Sequence, residues 1–375
     1  MSATSSVIAT VPSESRPAEH RLFSLDLFRG ATIAAMIVVN NQSNESAYWP
    51  LRHAEWNGWT PTDLVFPFFL FIVGVSLVFS SQARQQRGAS RGVLVGHTLR
   101  RSAILFAVGI ALNFLAAADL ASWRIPGVLQ RIAVAYCAAA LITLYTRTYT
   151  RVGWIAALLL GYWLVMRFVP VPGFGVPGRD IPLLHPDANL VAYLDRKLML
   201  GHLWEPTRDP EGILSTLPAI ATTLCGVLTG EWLRSARTPK QKILGMCLYG
   251  VAGVIAGELW GIWFPINKKL WTSSYVLLTA GLALISLAIC YWVTDIRLHR
   301  GWWSSPFIIL GCNAITAYVL SELIGGVLSW RGYVFLRSWQ DSAPAAASLL
   351  HSFVVLGLCF LPVWVMYRRK IFLKI

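Results

Sequence analysis

Residues 62–82 read TDLVFPFFLFIVGVSLVFSSQ, and from Leu64 to Phe79 no charged side chain interrupts them. A hydrocarbon core about 30 Å thick needs about 20 mostly apolar residues per crossing helix, and this run supplies one. Runs of the same kind recur at 24–42, 99–117, 126–145, 152–169, 213–233, 242–263, 273–293, 305–328 and 346–367. The expected fold is therefore all-α: a polytopic integral membrane protein with about ten transmembrane helices. Several runs carry polar residues, which suits helices facing a protein interior rather than lipid.

Composition agrees. The chain is 55% hydrophobic and 13% charged, against about 25% charged in soluble domains, and its mean hydropathy is +0.56. Seventeen Trp residues suit a protein with two water–lipid interfaces to line. The net charge of +14 reads as topology and not as nucleic-acid binding, because Lys and Arg sit between apolar spans. Arg84, Arg87, Arg91, Arg100 and Arg101 cluster in one connection, Arg147 and Arg151 in the next basic one, then Arg234, Arg237, Lys240 and Lys242, then Arg297 and Arg300. The tail adds Arg368, Arg369, Lys370 and Lys374. Alternation with less basic loops puts both termini inside.

Residues 1–20 form a polar cytoplasmic leader without a small-residue cleavage site, and 21–375 a single transmembrane domain. Its long external loop at about 170–212 is rich in Pro, Gly and Asp, and loops of that length are commonly functional. Cys137, Cys225, Cys247, Cys290, Cys312 and Cys359 all lie in apolar runs, with neither metal-ligand spacing nor a disulfide pattern. No metal is expected.

Polar groups inside a membrane protein are costly, so their positions point to function. Asp26 and Arg29 share a face at the start of the first helix; Asn40 ends that helix. His53 follows in a loop with Trp56 and Asn57, and Asp63 opens the second helix. A His near a carboxamide and a carboxylate suits general-base or nucleophilic work, although a solvated or capping loop His fits the same residues. Gln130 and Arg131 lie within the fourth run, and a buried Arg needs either a carboxylate or an anionic ligand such as phosphate. Asp209 and Glu211 precede the sixth run, where carboxylates suit a helix N-terminus and equally a sugar's amino or hydroxyl groups. Asn267, Lys268, Lys269, Trp271 and Ser274 gather two cations, an aromatic and a hydroxyl, suited to phosphate or to interface anchoring.

The ordered set SLDLFRG, VVN, HAEWNGWTPTDLVFPFFLFIVG, LQRIAVAY, DPEGILSTLPAI and NKKLWTSSY resembles the heparan-α-glucosaminide N-acetyltransferase family, bacterial members included, from about Arg21 to the last helix. The resemblance implies a transmembrane acyltransferase of the bacterial inner membrane. It would move acetyl from cytoplasmic acetyl-CoA to the amine of a small amino sugar, with homodimers by analogy to the lysosomal members. It assigns the catalytic residue to His53 and an activity-linked residue to Asn40. Trp56, Asn57, Asp63, Asp209 and Glu211 then become acceptor-binding candidates. Arg29, Gln130, Arg131, Asn267, Lys268, Lys269, Trp271 and Ser274 become candidates for CoA. The chain departs from the family in the stretch NQSNESAYWP after VVN, where the lysosomal proteins carry glycines.

Two routes fit such a site: attack of neutral His53 on the thioester, or direct transfer with His53 as base and Asn40 as oxyanion donor. Direct transfer is preferred, since an amine freed of its proton is already a competent nucleophile. An amino-sugar permease without chemistry and an O-acetyltransferase acting on a cell-envelope glycan are the competing readings.

Overall fold

A computed structural model describes residues 22–42, 47–117, 122–335 and 342–373. The leader 1–20 and residues 43–46 of the departing stretch lie outside the described residues. The elements run α1 Phe23–Asn40, 3-10 turns Trp49–Leu51 and Pro61–Leu64, α2 Val65–Gln86, α3 Arg91–Ala116, α4 Val128–Tyr145 and α5 Thr148–Phe168. They continue with α6 Leu190–Met199, α7 Thr216–Arg234, α8 Pro239–Gly261, α9 Ser273–Tyr291, α10 Ser305–Cys312, α11 Ala314–Phe335 and α12 Pro344–Arg368. Among the described residues the chain is all-helical apart from two isolated bridges near 171–181.

Among the described residues, eight helices are long and apolar enough to cross a membrane, and α10 with α11 makes a ninth if counted as one span broken by an 82° bend. The tenth expected span is α7. It has the length of a crossing helix, but its buried Thr222, Thr223 and Thr229 lower its hydropathy. Packed against α2, α4, α5 and α9, α7 is an interior helix whose hydroxyls are covered by protein.

Three boundaries differ from the sequence reading. The basic connection at 84–101 is mostly helix, because α3 starts at Arg91 behind a Ser90 cap that accepts from Val93 N–H. The run 305–328 breaks at Asn313, whose amide side chain donates to Ile371 O at 3.1 Å and accepts from Leu373 N–H at 3.1 Å. The C-terminal tail thus satisfies polar groups at the break. The long loop carries α6, capped by Asn189, whose Oδ1 accepts from Ala192 N–H at 2.9 Å.

The interior helices cross at glycines. A Cβ on Gly74 would lie 1.9 Å from Thr223 O, and one on Gly226 would lie 2.0 Å from Phe71 O. The α2–α7 backbones therefore touch, as small residues permit in membranes. Gly74→Ala is expected to wedge them apart and cost about 1–3 kcal/mol. In thermal melts of the detergent-solubilised protein, Gly161→Ala on α5, with nothing within 4 Å of its Cβ, should melt like the parent. Equal melting of the two variants would contradict this crossing.

Candidate active site

The loop that follows α1 folds onto the loop between α8 and α9. Gly58, at φ +93°, donates its N–H to Ile266 O at 2.8 Å. The Asn267 side-chain amide donates to Trp56 O at 2.8 Å and Asn57 Oδ1 at 3.2 Å, while its Oδ1 accepts from Leu270 N–H at 2.9 Å. Ser274 Oγ donates to Phe264 O at 2.6 Å, and Tyr162 OH to Leu270 O at 2.6 Å. Trp271 is fully buried at φ +52°, and its Nε1 donates to Thr222 Oγ1 at 3.1 Å. Asn267, Trp271 and Ser274 therefore build the α8–α9 loop and carry it against the His53 loop.

That docking brings together three titratable groups. His53 Nδ1 lies 2.7 Å from Asp63 Oδ1. Asp63 Oδ2 accepts from Ala54 N–H at 3.0 Å, Thr60 N–H at 3.0 Å and Thr60 Oγ1 at 3.1 Å. Its backbone carbonyl accepts from Tyr275 OH. The Asp63 side chain is 1% exposed and that of His53 is 32% exposed, so a fixed buried carboxylate orients a ring that reaches solvent. Lys268 Nζ completes the cluster, 2.9 Å from His53 Nδ1 and 3.5 Å from Asp63 Oδ1. Burial lowers the Lys268 pKa below its ordinary value, opposed by the charges of Asp63 and Glu211. The arrangement is a His–carboxylate pair with the carboxylate on Nδ1, which suits Nε2 to general-base work.

Around it, the segment between α5 and α7 forms a charged rim. Arg124 holds Asp209 through two hydrogen bonds, 2.8 Å from Nε and 2.5 Å from Nη2, and Nη2 also reaches Glu211. Burial lowers the Arg124 pKa, but the hydrogen bonds to Asp209 and the charge of Glu211 outweigh it and raise the net value. Asp209 also accepts from Trp204 N–H and Glu211 N–H, so its carboxylate organises the turn before α7. Trp56 donates Nε1–H to Leu184 O at 2.7 Å, and its ring is faced by Arg208 at 5.0 Å and Lys269 at 5.8 Å. Both cations are paired with Glu205.

Asp195 of α6 is fully buried beneath Gly212. Burial pushes its carboxyl up to about 6 from an ordinary 3.8. Between those values the folded protein keeps a proton that the unfolded chain has lost, so stability falls as pH rises through that window. Asp195→Asn should melt higher than the parent above pH 6, the gain amounting to about 3 kcal/mol. It should match the parent near pH 4. A lower melting point at pH 7.5 would contradict this.

The remaining candidates make no hydrogen bond to His53, Asp63 or Lys268 among the described residues. Asn40 ends α1 with its side chain exposed. Arg29 lies near the other end of α1, held by Asp26 at 3.0 Å, Ser76 at 2.7 Å and Gly311 O at 3.3 Å. Gln130 donates to Ile125 O at 3.1 Å. Arg131 donates to Ser215 Oγ at 2.5 Å and Gly212 O at 3.1 Å, and its guanidinium lies 5.1 Å from the Trp271 ring centre. Arg124, Asp195 and Tyr275 escaped the sequence reading. The legible signal for Arg124 was an Arg in a connection assigned to the outer side, where basic residues are scarce.

Residues 21–256 match the family described as heparan-alpha-glucosaminide N-acetyltransferase, catalytic. The heparan-alpha-glucosaminide N-acetyltransferase of Mus musculus is 31% identical over 97% of this chain and 62% of its own length. That of Homo sapiens is 33% identical over 95% of this chain and 60% of its own. The chain thus spans about three-fifths of the length of these relatives. On this match across most of its length, the chain belongs to the heparan-alpha-glucosaminide N-acetyltransferase family.

Proposed function

We propose that the protein is a transmembrane N-acetyltransferase that carries an acetyl group from acetyl-CoA to the amine of a glucosamine-like sugar, in the inner membrane of a bacterium. The observation that carries this reading is the His53–Asp63 contact of 2.7 Å in a chain of this family. With its proton on Nδ1 facing Asp63, the ring offers Nε2 to the acceptor. The amine attacks the thioester carbonyl, a C–N bond forms, the C–S bond breaks, and CoA leaves. The proton shed by the nitrogen passes to Nε2. Asn40 is assigned as donor to the oxyanion, and Trp56, Asn57 and Glu211 as the acceptor rim.

In this reading, which follows the alternation of basic loops, both termini lie on the cytoplasmic side and the His53 cluster on the outer side. Acetyl-CoA then enters from the end opposite His53. A cavity of about 50 Å³ lined by Ser80, Arg84, His97, Thr98 and Thr143 lies at that end of α2. Nearby, Arg101 Nε and Ser102 Oγ have no hydrogen-bond partner among the described residues, which supports phosphate binding there. Arg29 is the second candidate at that end. Val65 and Gln86 are separated by about 30 Å of helix, longer than the arm between the diphosphate and the sulfur of CoA, so the nucleotide end must itself enter the bundle for the thioester to reach His53.

Vesicles containing the protein, loaded with acetyl-labelled acetyl-CoA and bathed in glucosamine, test the reading. Labelled N-acetylglucosamine is expected, and only with acetyl-CoA present. Uptake of intact glucosamine without acetyl-CoA, and no transfer, would make the protein a permease. Transfer to hydroxyl-only sugars in preference to glucosamine would make it an O-acetyltransferase.

A further inference from the structure

At the end of α2 opposite His53, three helix ends meet: the last turns of α2 and α4 and the first turns of α3. They enclose the cavity of about 50 Å³ that Ser80, Arg84, His97, Thr98, Tyr136 and Thr143 line. That is room for several waters or for the oxygens of one phosphate. The hydroxyls around it are already committed. Ser80 Oγ donates to Leu77 O, Thr98 Oγ1 to Leu94 O and Thr143 Oγ1 to Ala139 O, so each spends its proton on its own helix. The donors left for a ligand are the guanidiniums.

Arg84 Nη2 donates to His97 Nε2 at 2.6 Å, a contact that orients its fork and leaves its charge unpaired. The Arg101 guanidinium lies 4.7 Å from the centre of the Tyr136 ring, which lines the cavity, and its buried Nε has no hydrogen-bond partner among the described residues. The charges of Arg84, Arg100 and Arg101 all act on His97. Asp26 and Glu231, acids at the same end of the bundle, are held by Arg29 and Arg151. Three guanidiniums around one imidazole, with the neighbouring acids engaged elsewhere, favour an anion, and a phosphate matches the Arg fork.

The level of the cavity points to the source of that phosphate. Tyr145 at the end of α4 and Tyr149 at the start of α5 are exposed, as aromatics are at the headgroup level of a membrane. On α3, Val93 and Leu99 present exposed apolar side chains beside the basic residues. With acetyl at His53, the donor's phosphates have moved into the bundle, because the arm between them and the sulfur is shorter than α2. A phosphate that stays in the cavity during transfer therefore belongs to another molecule.

We propose that Arg84, oriented by His97, and Arg101 bind the phosphate of an anionic phospholipid headgroup where α2, α3 and α4 end together. Basic pockets between membrane helices take such headgroups. The inference goes beyond the acetyltransferase reading and is decided without any transfer.

The test uses the full chain, delipidated in a neutral detergent, with native mass spectrometry to count bound lipid and thermal melting to follow its effect. Phosphatidylglycerol is the probe, and phosphatidylcholine, inorganic phosphate and free CoA are the other arms. Phosphatidylglycerol should be retained in preference to phosphatidylcholine and should raise the melting point. Arg84→Gln and Arg101→Gln should each weaken its binding about tenfold or more, as for a lost hydrogen bond from a charged donor. Arg91→Gln, which removes an exposed charge at the same end, should bind it as the parent does. Should a cavity variant fail to fold, Ala140→Leu, which fills the cavity and removes no charge, carries the same expectation. Equal retention of the two lipids, or of neither, would overturn the proposal, as would Arg91→Gln weakening binding as much as the cavity variants. Displacement of the lipid by equimolar CoA or inorganic phosphate would also overturn it, giving the site to the donor or to any small anion.

Discussion

His53→Ala is expected to lower acetyl transfer by about 10²–10⁴-fold, the usual worth of a positioned general base, while leaving the fold intact. The two halves of this prediction have separate causes. The side chain is 32% exposed and fills no core, so its removal opens no closed cavity. Its chemistry is not replaceable from nearby. Within the cluster, the Asp63 carboxylate is 1% exposed and occupied by three other donors, and Lys268 is tied to it as a cation. Melting close to the parent with transfer lost is the expected pair of results. Transfer within threefold of the parent would remove His53 from the mechanism.

Asp63→Asn should be as severe for transfer and also damaging to the fold. The amide replaces one acceptor oxygen with an NH₂ donor, and all four of Asp63's side-chain partners need an acceptor or a matched tautomer. If the NH₂ faces His53, the ring must turn its Nδ1 lone pair toward it. Nε2 then carries the proton and no longer serves as base; in His–carboxylate pairs of this kind the wrong tautomer costs about 10⁴ in rate. Lys268 at the same time loses its counter-ion while staying largely buried. Breaking one side of such a pair costs about 3–5 kcal/mol, so the melting point should fall as well. A variant that melts like the parent and transfers acetyl normally would show that Asp63 merely caps the start of α2.

The membrane-spanning helices were legible because hydropathy over a helix-length window is a local property. The 62–82 run became Val65–Gln86 with its 3-10 entry turn. What the sequence hid was set by contacts between distant segments. The break at Asn313 depends on a tail about 60 residues later, and no local Pro marks it. The start of α3 at Arg91 was masked by charges that read as a loop, although Ser90 is a plain N-cap.

The same holds for the candidate site. His53 and Asp63 lie in one motif, ten residues apart, and could be paired by eye. Lys268 stands 215 residues from His53, and its chemistry read equally well as phosphate binding or anchoring. Only the docking of the α8–α9 loop turns it toward the ring. Arg131 shows the converse: its need for a partner was legible, but Ser215 and Gly212 O were not identifiable as its hydrogen-bond acceptors.

The most direct test of the central claim is thiol release by the purified full chain in detergent, given acetyl-CoA and a panel of amino sugars. The expected result is free CoA in step with acetylated sugar, only when an amino sugar is present, and lost in His53→Ala. No thiol release with any amino sugar, alongside robust flux of labelled sugar in vesicles, would contradict the account.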